Sequence, residues 1–191
     1  VAVGFFGLAE ALTSIEVANK KLEVLTAINR LFLPWSAIKS LWPMAIRGAL
    51  IGAFVGAIPA AGSAIGVTVA YAQEKRMSKN PEKYGTGIPE GIVAPESSNN
   101  ACVGGALIPL MTLGIPGDSM TAVLVGAMLI HGLRPGPQVF VERLDFVSLI
   151  YVALILAIIL TTILALLTIR FSARILDAPK NILMTGITIL C

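Results

Sequence analysis

Charge is distributed along this chain so that long apolar stretches alternate with short charged ones. Residues 48–73 contain no charged side chain, and neither do residues 146–169. At 1.5 Å per residue the second run is long enough to cross about 30 Å of hydrocarbon as a helix. Between residues 97 and 132 the only charged side chain is Asp118. The pattern predicts an all-α integral membrane protein in which 146–169 is a transmembrane helix and the charged stretches are loops.

Composition strengthens this interpretation. Hydrophobic residues make up 56% of the chain and charged residues 13%, whereas a typical soluble domain has about 25% charged residues. The net charge of +3 is concentrated in the loops, which favours a role in membrane orientation and argues against nucleic-acid binding. Cys102 and Cys191 lie in apolar sequence without metal-ligand spacing, so both are interpreted as small hydrophobic residues.

The stretches between the apolar runs are assigned from their prolines and charges. Residues 13–47 are mixed and basic, with Pro34 and Pro43 as expected helix breaks and two tryptophans typical of headgroup level, so they are predicted to lie at the membrane surface. Residues 74–96 hold several Pro and Gly among their charges and are predicted to form a loop. Apolar sequence at 180–191 is expected to begin a further span.

The run 48–73 is interrupted near its middle. Glycines four residues apart share a helix face and let another backbone approach closely, and here three such glycines precede the break Pro59–Ser63. Each half then has about ten residues, which reach roughly half of the bilayer. A re-entrant hairpin with its tip at this break is therefore predicted.

The positive-inside rule supports the hairpin. If 48–73 re-enters while 97–133 and 146–169 cross, twelve Lys and Arg lie on one side and two on the other. A full crossing by 48–73 gives seven against seven. If 97–133 is itself a hairpin, the division is eleven against three, so charge leaves that alternative open. The whole of 1–191 is interpreted as one membrane-domain fragment of a larger protein.

The segment 97–133 is the second broken segment, expected to be interrupted at Pro109 and again at Pro116-Gly117. A half-helix that begins at membrane depth presents unpaired N–H groups and a partial positive charge, which suit a carboxylate. Paired broken segments are typical of secondary-transporter sites. The alternative is that these are proline kinks with packing value only. The candidate substrate-binding residues are Pro59, Gly62, Ser63, Ser97, Ser98, Asn99, Asn100, Pro116, Gly117 and Ser119.

The coupling ion is assigned to Asp118 and Asn99. An intramembrane acid is a functional hypothesis by default, as a cation ligand or a proton carrier, but Asp118 would equally serve as the cap of the half-helix that starts there. The Ser-Ser-Asn-Asn cluster has the same alternative, an N-cap of the next helix. Na⁺ or H⁺ is the expected coupling ion, with no other cofactor and no metal site.

The sequence gives little support for an enzyme. The sequence shows no Ser/His/Asp or Cys/His set, no paired catalytic carboxylates, no phosphate loop and no zinc spacing. The prediction is therefore a transporter rather than an enzyme. An intramembrane enzyme and a non-transporting membrane scaffold are kept as the alternatives.

Several motifs, in order along residues 45–137, resemble one known family, the large membrane subunit of the tripartite tricarboxylate transporters, called TctA. The residues that carry the resemblance are Arg47-Gly48-x-x-x-Gly52-x-x-x-Gly56-x-x-Pro59-x-x-Gly62, Tyr71-x-x-Glu74-Lys75, Gly85-x-Gly87-x-x-Glu90-Gly91-x-x-Ala94-Pro95-Glu96-Ser97-x-Asn99-Asn100-Ala101, Pro109-Leu-Met-Thr-Leu-Gly114-Ile-Pro-Gly117 and Gly132-Leu-Arg-Pro135-Gly-Pro137. The matched region is similar to the start of the C-terminal half of such a subunit.

This resemblance implies a multi-pass permease of the bacterial inner membrane. It implies two partners, a small membrane subunit and a periplasmic substrate-binding protein, and uptake of citrate or another carboxylate driven by a cation gradient. Whether the subunit forms a homo-oligomer stays open. Two positions depart from the family pattern: Ala60 stands where a glycine is usual, so a left-handed backbone is not expected there, and Asp118 stands where a small residue is common.

Overall fold

Helices account for the regular structure of residues 34–175, the part of the chain that the computed structural model describes, and no strand occurs among them. The helices are α1 (Trp35–Gly56), α2 (Gly62–Met77), α3 (Glu90–Leu113), α4 (Ser119–Ile130), α5 (Val139–Glu142) and α6 (Leu144–Ile175), with a 3-10 helix at Pro81–Lys83. The all-α prediction is confirmed. Most of the 13–47 segment before Pro34 and the span expected at 180–191 lie outside the described residues.

One compact unit is Leu33–Leu154, and α6 continues from it into a second unit at Ile155. Two helices are long and apolar enough to cross a membrane within 34–175, namely Trp35–Gly56 and Leu144–Ile169. The second contains the predicted span 146–169. The first was not expected, because its N-terminal part was assigned to the membrane surface.

The expected break at Pro43 is wrong. Pro43 lies inside α1, which runs unbroken for 22 residues from the cap at Pro34. A proline inside a helix removes one N–H donor, and the helix tolerates that single loss. The two arms of the hairpin are consequently longer than the predicted ten residues, since α1 has 22 and α2 has 16.

The expected break at Pro109 is also wrong, and the charged loop is shorter than predicted. Helix α3 begins at Glu90 and contains both Pro95 and Pro109 within its 24 residues. It ends at Gly114, whose left-handed φ of 72° stops the helix at no steric cost to a residue without a Cβ. The interruption therefore covers residues 114–118, which includes the predicted Pro116-Gly117 break.

Helices α1 and α3 cross backbone to backbone. A Cβ built on Gly48, Gly52 or Gly56 would overlap the carbonyl of Ala94, Ser98 or Cys102, respectively. The three glycines and the three residues that they face both advance in steps of four along the sequence. The two helices therefore run in the same direction, and one face of each is in contact with the other. Approach this close is what glycines at four-residue spacing permit.

Helix α2 returns antiparallel to α1 and packs on both partners. Gly66 sits where an added Cβ would lie 2.6 Å from Cys102 Sγ and 3.1 Å from Ser98 Oγ. Beyond this three-helix crossing, aliphatic side chains from the C-terminal half of α3 pack with those of α4, α5 and the start of α6. The buried members of that cluster are Leu107, Leu110, Met111, Met128, Leu133, Val139 and Val147.

Candidate functional site

The second helix break packs against the end of the helix that leads into the first break. Gly117, in the second break, is buried against the middle of α3 and the end of α1. A Cβ at Gly117 would lie 2.8 Å from Ala106 Cα and 3.0 Å from the carbonyl oxygen of Gly56. Gly56 is the last residue of α1 and directly precedes the first break, which occupies residues 57–61. The structure thus brings together the two interruptions that are far apart in sequence.

The first break joins the end of one helix to the beginning of another. After α1 ends, the chain turns through an exposed Pro59 and enters α2 at Gly62, with Ser63 half-buried in its first turn. Gly62 has a φ of 72°, and a Cβ there would meet nothing within 4 Å. The N-terminal N–H groups of α2 lack intrahelical partners, as at any helix start, and lie beside the break.

Ala60 is the one non-glycine residue with a positive φ, 63°, within residues 34–175. The sequence did not predict this, since a Cβ disfavours the left-handed region by about 1–2 kcal/mol. The strain is accepted because the surrounding turn must reverse the chain between two packed helices. A glycine at this position would adopt the same backbone freely.

We expect Ala60→Gly to raise the free energy of unfolding of the intact subunit by about 0.5–1 kcal/mol, because it removes left-handed strain at a cost in unfolded-state entropy. The midpoint of thermal unfolding measures the change. Ala61→Gly is the matched control, since Ala61 has an ordinary φ of −67° and should lose stability. Equal midpoints for the two variants would contradict the strain argument.

In the second break, Asp118 caps α4. Its Oδ1 accepts hydrogen bonds from Thr121 N at 2.8 Å and from Thr121 Oγ1 at 2.7 Å, while the Thr121 hydroxyl accepts from Asp118 N. This reciprocal capping box satisfies two backbone donors. No hydrogen bond is made to Asp118 Oδ2 from residues 34–175. Of the two roles weighed for Asp118, the cap is therefore observed. Pro116 beside it is half-buried and Ser119 is exposed.

The Ser-Ser-Asn-Asn cluster lies inside α3 and does not cap it, so the N-cap alternative is wrong. Four consecutive helical residues point in four directions, 100° apart. Ser98 is fully buried between α1 and α2, and its hydroxyl has no hydrogen-bond partner within the described residues. Asn99 and Asn100 are exposed, and Asn100 Nδ2 donates to the Glu96 carbonyl at 3.0 Å.

The structure consequently divides the predicted site residues into two groups. Of the break residues, Gly117 lies against Gly56 at the end of α1, while Pro59 and Ser119 are exposed near the same two breaks. The two asparagines lie six or seven residues before Ala106 on α3, about 10 Å back along its axis. Ser97 is half-buried beside them. The asparagines face a side of α3 that α1 and α2 leave open.

An ion pair at the opposite end of the hairpin was not predicted. Arg47 on α1 binds Glu74 on α2 through two hydrogen bonds, Nε to Oε2 at 3.0 Å and Nη2 to Oε1. The Glu74 side chain is 5% exposed and that of Arg47 37%. The sequence did contain the signal: these are the two charged residues that bound the uncharged run 48–73, and the ends of a hairpin lie side by side.

Aromatic packing closes the same end. Tyr84 is buried in the loop after α2, with its ring centroid 5.7 Å from that of Tyr71 in an edge-to-face arrangement. Burial raises the pKa of the Tyr84 phenol, so the side chain stays neutral at physiological pH. Within the described part of the chain no group of three His, Cys, Asp or Glu is placed to hold a metal ion.

These helices, with two apolar spans and a break packed against the end of α1, define an all-helical membrane protein. The family model described as the Tripartite tricarboxylate transporter TctA family matches residues 1–191. The chain therefore belongs to the TctA family, a family of membrane transporter components, and the resemblance seen in the sequence is confirmed.

Two curated relatives come from Agrobacterium vitis. An "Uncharacterized 52.8 kDa protein in TAR-I ttuC' 3'region" is 32% identical over 189 residues, which is 99% of this chain and 38% of the relative. An "Uncharacterized protein in TAR-II ttuC' 3'region" is 36% identical over 138 residues, 72% of this chain and 57% of the relative. The chain thus spans less than two thirds of either relative. No solved structure matches it.

Proposed function

We propose that this chain forms part of the substrate pathway of a permease that takes up citrate-like tricarboxylates or related carboxylates. The permease works by alternating access and is driven by a gradient of Na⁺ or H⁺. The contact of Gly117 with Gly56 carries the proposal. It places the second break, two residues before α4 begins, against the end of α1, from which the first break leads into α2, and helix N-termini favour carboxylates. Discontinuous helices that meet in this way are typical of transporter sites.

The exposed asparagines extend the proposed pathway. Their amides offer neutral donors and acceptors on a face of α3 that the described helices do not cover. A carboxylate taken up from the periplasm would meet the breaks first and then this face, which lies one to two turns back along α3 toward its cytoplasmic end. The proposed partners are a small membrane subunit and a periplasmic substrate-binding protein in the bacterial inner membrane.

Coupling is proposed to involve Asp118 and the carbonyl oxygens near the breaks. The cap uses Asp118 Oδ1, which leaves Oδ2 as a ligand for a cation or a proton. The carbonyl of Gly56 adds a second oxygen at the place where the breaks touch. Asp118→Asn keeps an oxygen for the cap but removes the charge, so it should weaken the gradient dependence of uptake while α4 stays intact.

Uptake of labelled citrate by vesicles that hold the complete transporter, supplied with its binding protein, tests the proposal. We expect Asn99→Ala and Asn100→Ala to lower uptake at least tenfold without loss of folded protein, because both side chains are exposed. Gly117→Ala should also lower uptake, since its Cβ would push the breaks apart.

Two substitutions serve as controls. Gly126→Ala on α4 adds a Cβ that meets nothing within 4 Å, and Thr112→Ala removes an exposed hydroxyl from α3 that only bonds its own helix. Both should transport normally. Wild-type uptake in the two asparagine variants would refute the site assignment, and uptake indifferent to both Na⁺ and pH gradients would refute the coupling.

A further inference from the structure

A cavity of about 420 Å³ lies at the end of the α1–α2 hairpin remote from the breaks. Its inner wall is the ion pair of Arg47 and Glu74, and its outer wall is the loop that contains the 3-10 helix. A volume of this size accommodates a small molecule or the polar portion of a larger one. The proposed transport pathway does not use this cavity.

The side chains that line the cavity carry a net positive charge. Arg47 and Glu74 neutralise each other across their two hydrogen bonds. Lys79 and Lys83 remain, both exposed and neither in a salt bridge within residues 34–175, and they face one further carboxylate, that of Glu90. Two lysines on a short loop give a cavity that favours an anion, and ammonium groups bind phosphate readily.

The cavity also has an apolar side. Met44, Met77 and Ile88 contribute to its lining, and Met77 is 55% exposed. A small, fully hydrated anion gains nothing from such a surface. A ligand that joins an anionic head to an apolar body would use both parts of the wall.

The position along the hairpin indicates where such a ligand comes from. The uncharged run ends at Gln73, and Lys75 and Arg76 follow in the last turn of α2. Basic residues at the end of an apolar helix lie at headgroup level, on the side that the positive-inside rule makes cytoplasmic. Anionic lipids are abundant in that leaflet, and basic pockets between helices bind their head groups.

We propose that this cavity binds the phosphate head group of an anionic phospholipid. Lys79 and Lys83 hold the phosphate, and the apolar side of the cavity contacts the glycerol and the first part of an acyl chain. The Arg47–Glu74 pair is the neutral floor on which the head group rests. Bound lipid would tie the loop after α2 to the hairpin.

Native mass spectrometry of the complete transporter, titrated with phosphatidylglycerol or phosphatidylcholine, tests this site. We expect one phosphatidylglycerol to be retained and phosphatidylcholine to bind at least tenfold more weakly. Lys79→Gln combined with Lys83→Gln should weaken phosphatidylglycerol binding at least tenfold. Lys75→Gln combined with Arg76→Gln removes the same charge from residues that do not line the cavity, so this control should bind as the wild type does.

Competition with inorganic phosphate and citrate distinguishes a lipid from a soluble anion. Neither should displace phosphatidylglycerol at equal concentration. Displacement by either would show a soluble-anion site and overturn the lipid assignment, as would equal retention of the two phospholipids. If the Lys79/Lys83 variant and the Lys75/Arg76 variant lose phosphatidylglycerol binding equally, the cavity is not the binding site. Citrate uptake by the same preparations reports on the transport proposal separately.

Discussion

Replacing Gly52 with alanine should destabilise the subunit by about 3 kcal/mol, at the upper end of the usual cost of overpacking. The added Cβ would lie 2.7 Å from both Cα and the carbonyl carbon of Ser98. These atoms are backbone of a second helix and cannot rotate away as a side chain can. Helices α1 and α3 must therefore move apart. This movement also disrupts the packing of α2, which contacts both helices. The thermal midpoint of the purified subunit and its monodisperse yield measure the loss.

Gly104→Ala is the matched control for this substitution. Gly104 lies on α3, in the same helix that Gly52 contacts, but a Cβ there meets nothing within 4 Å. Since alanine is favoured over glycine in a helix by about 1 kcal/mol, the control should be as stable as the wild type or more so. If the Gly52→Ala and Gly104→Ala variants unfold at the same temperature, the backbones of α1 and α3 are not in close contact at Gly52.

Arg47→Ala should cost about 3–5 kcal/mol, because it leaves the carboxylate of Glu74 buried without its partner. The Glu74 side chain is only 5% exposed in the native packing, so little of the carboxylate that loses both hydrogen bonds reaches water. Replacing both residues by methionine removes the charges together and should restore most of the stability, as for other buried pairs exchanged for apolar residues of similar volume. Denaturation of the purified subunit gives the comparison.

The Arg143–Asp145 pair provides the control for this prediction. Its N–O distance is 3.4 Å and both side chains are at least half exposed, so Arg143→Ala should leave the midpoint unchanged. A double methionine variant as unstable as Arg47→Ala would show that the pair supplies more than charge compensation. An Arg47→Ala variant as stable as Arg143→Ala would refute the burial argument.

Together these predictions separate two uses of the hairpin formed by α1 and α2. At one end, a partly buried ion pair joins the two helices, and Tyr84 of the following loop packs edge-to-face on Tyr71 of α2. At the other end the chain breaks, Ala60 is strained and Gly117 inserts between helices. A hairpin fixed at one end and interrupted at the other would allow the motion at the breaks on which the proposed alternating access depends.

Much of the fold could be predicted from local sequence. Uncharged runs require helices in a membrane, because backbone groups in hydrocarbon must be paired within the segment. That argument predicted the helix over 146–169 and the two broken segments. It failed at Pro43 and Pro109, each of which lies inside a long helix and removes only a single hydrogen bond from it. One proline in a long apolar run is therefore not enough to end a helix.

The candidate site was predictable in part for a similar reason. Composition identified both breaks, since glycine and proline act on the local backbone. It could not show that Ser98 points into the bundle while Asn99 and Asn100 point out of it, because adjacent helical positions differ by 100° and the partner helices decide which direction is buried. Sequence alone had assigned all four residues of the cluster to substrate binding.

The sequence by itself determined the class of protein, the helix over 146–169, the place of the two breaks that the structure contains and the family. These follow from hydropathy, backbone chemistry and motif order, which are local properties. Only the tertiary structure decided that Gly56 meets Gly117, that Arg47 reaches Glu74 across 27 residues, and that α1 and α3 run in the same direction. Such contacts join distant residues, and they depend on how whole helices pack, which no short stretch of sequence contains.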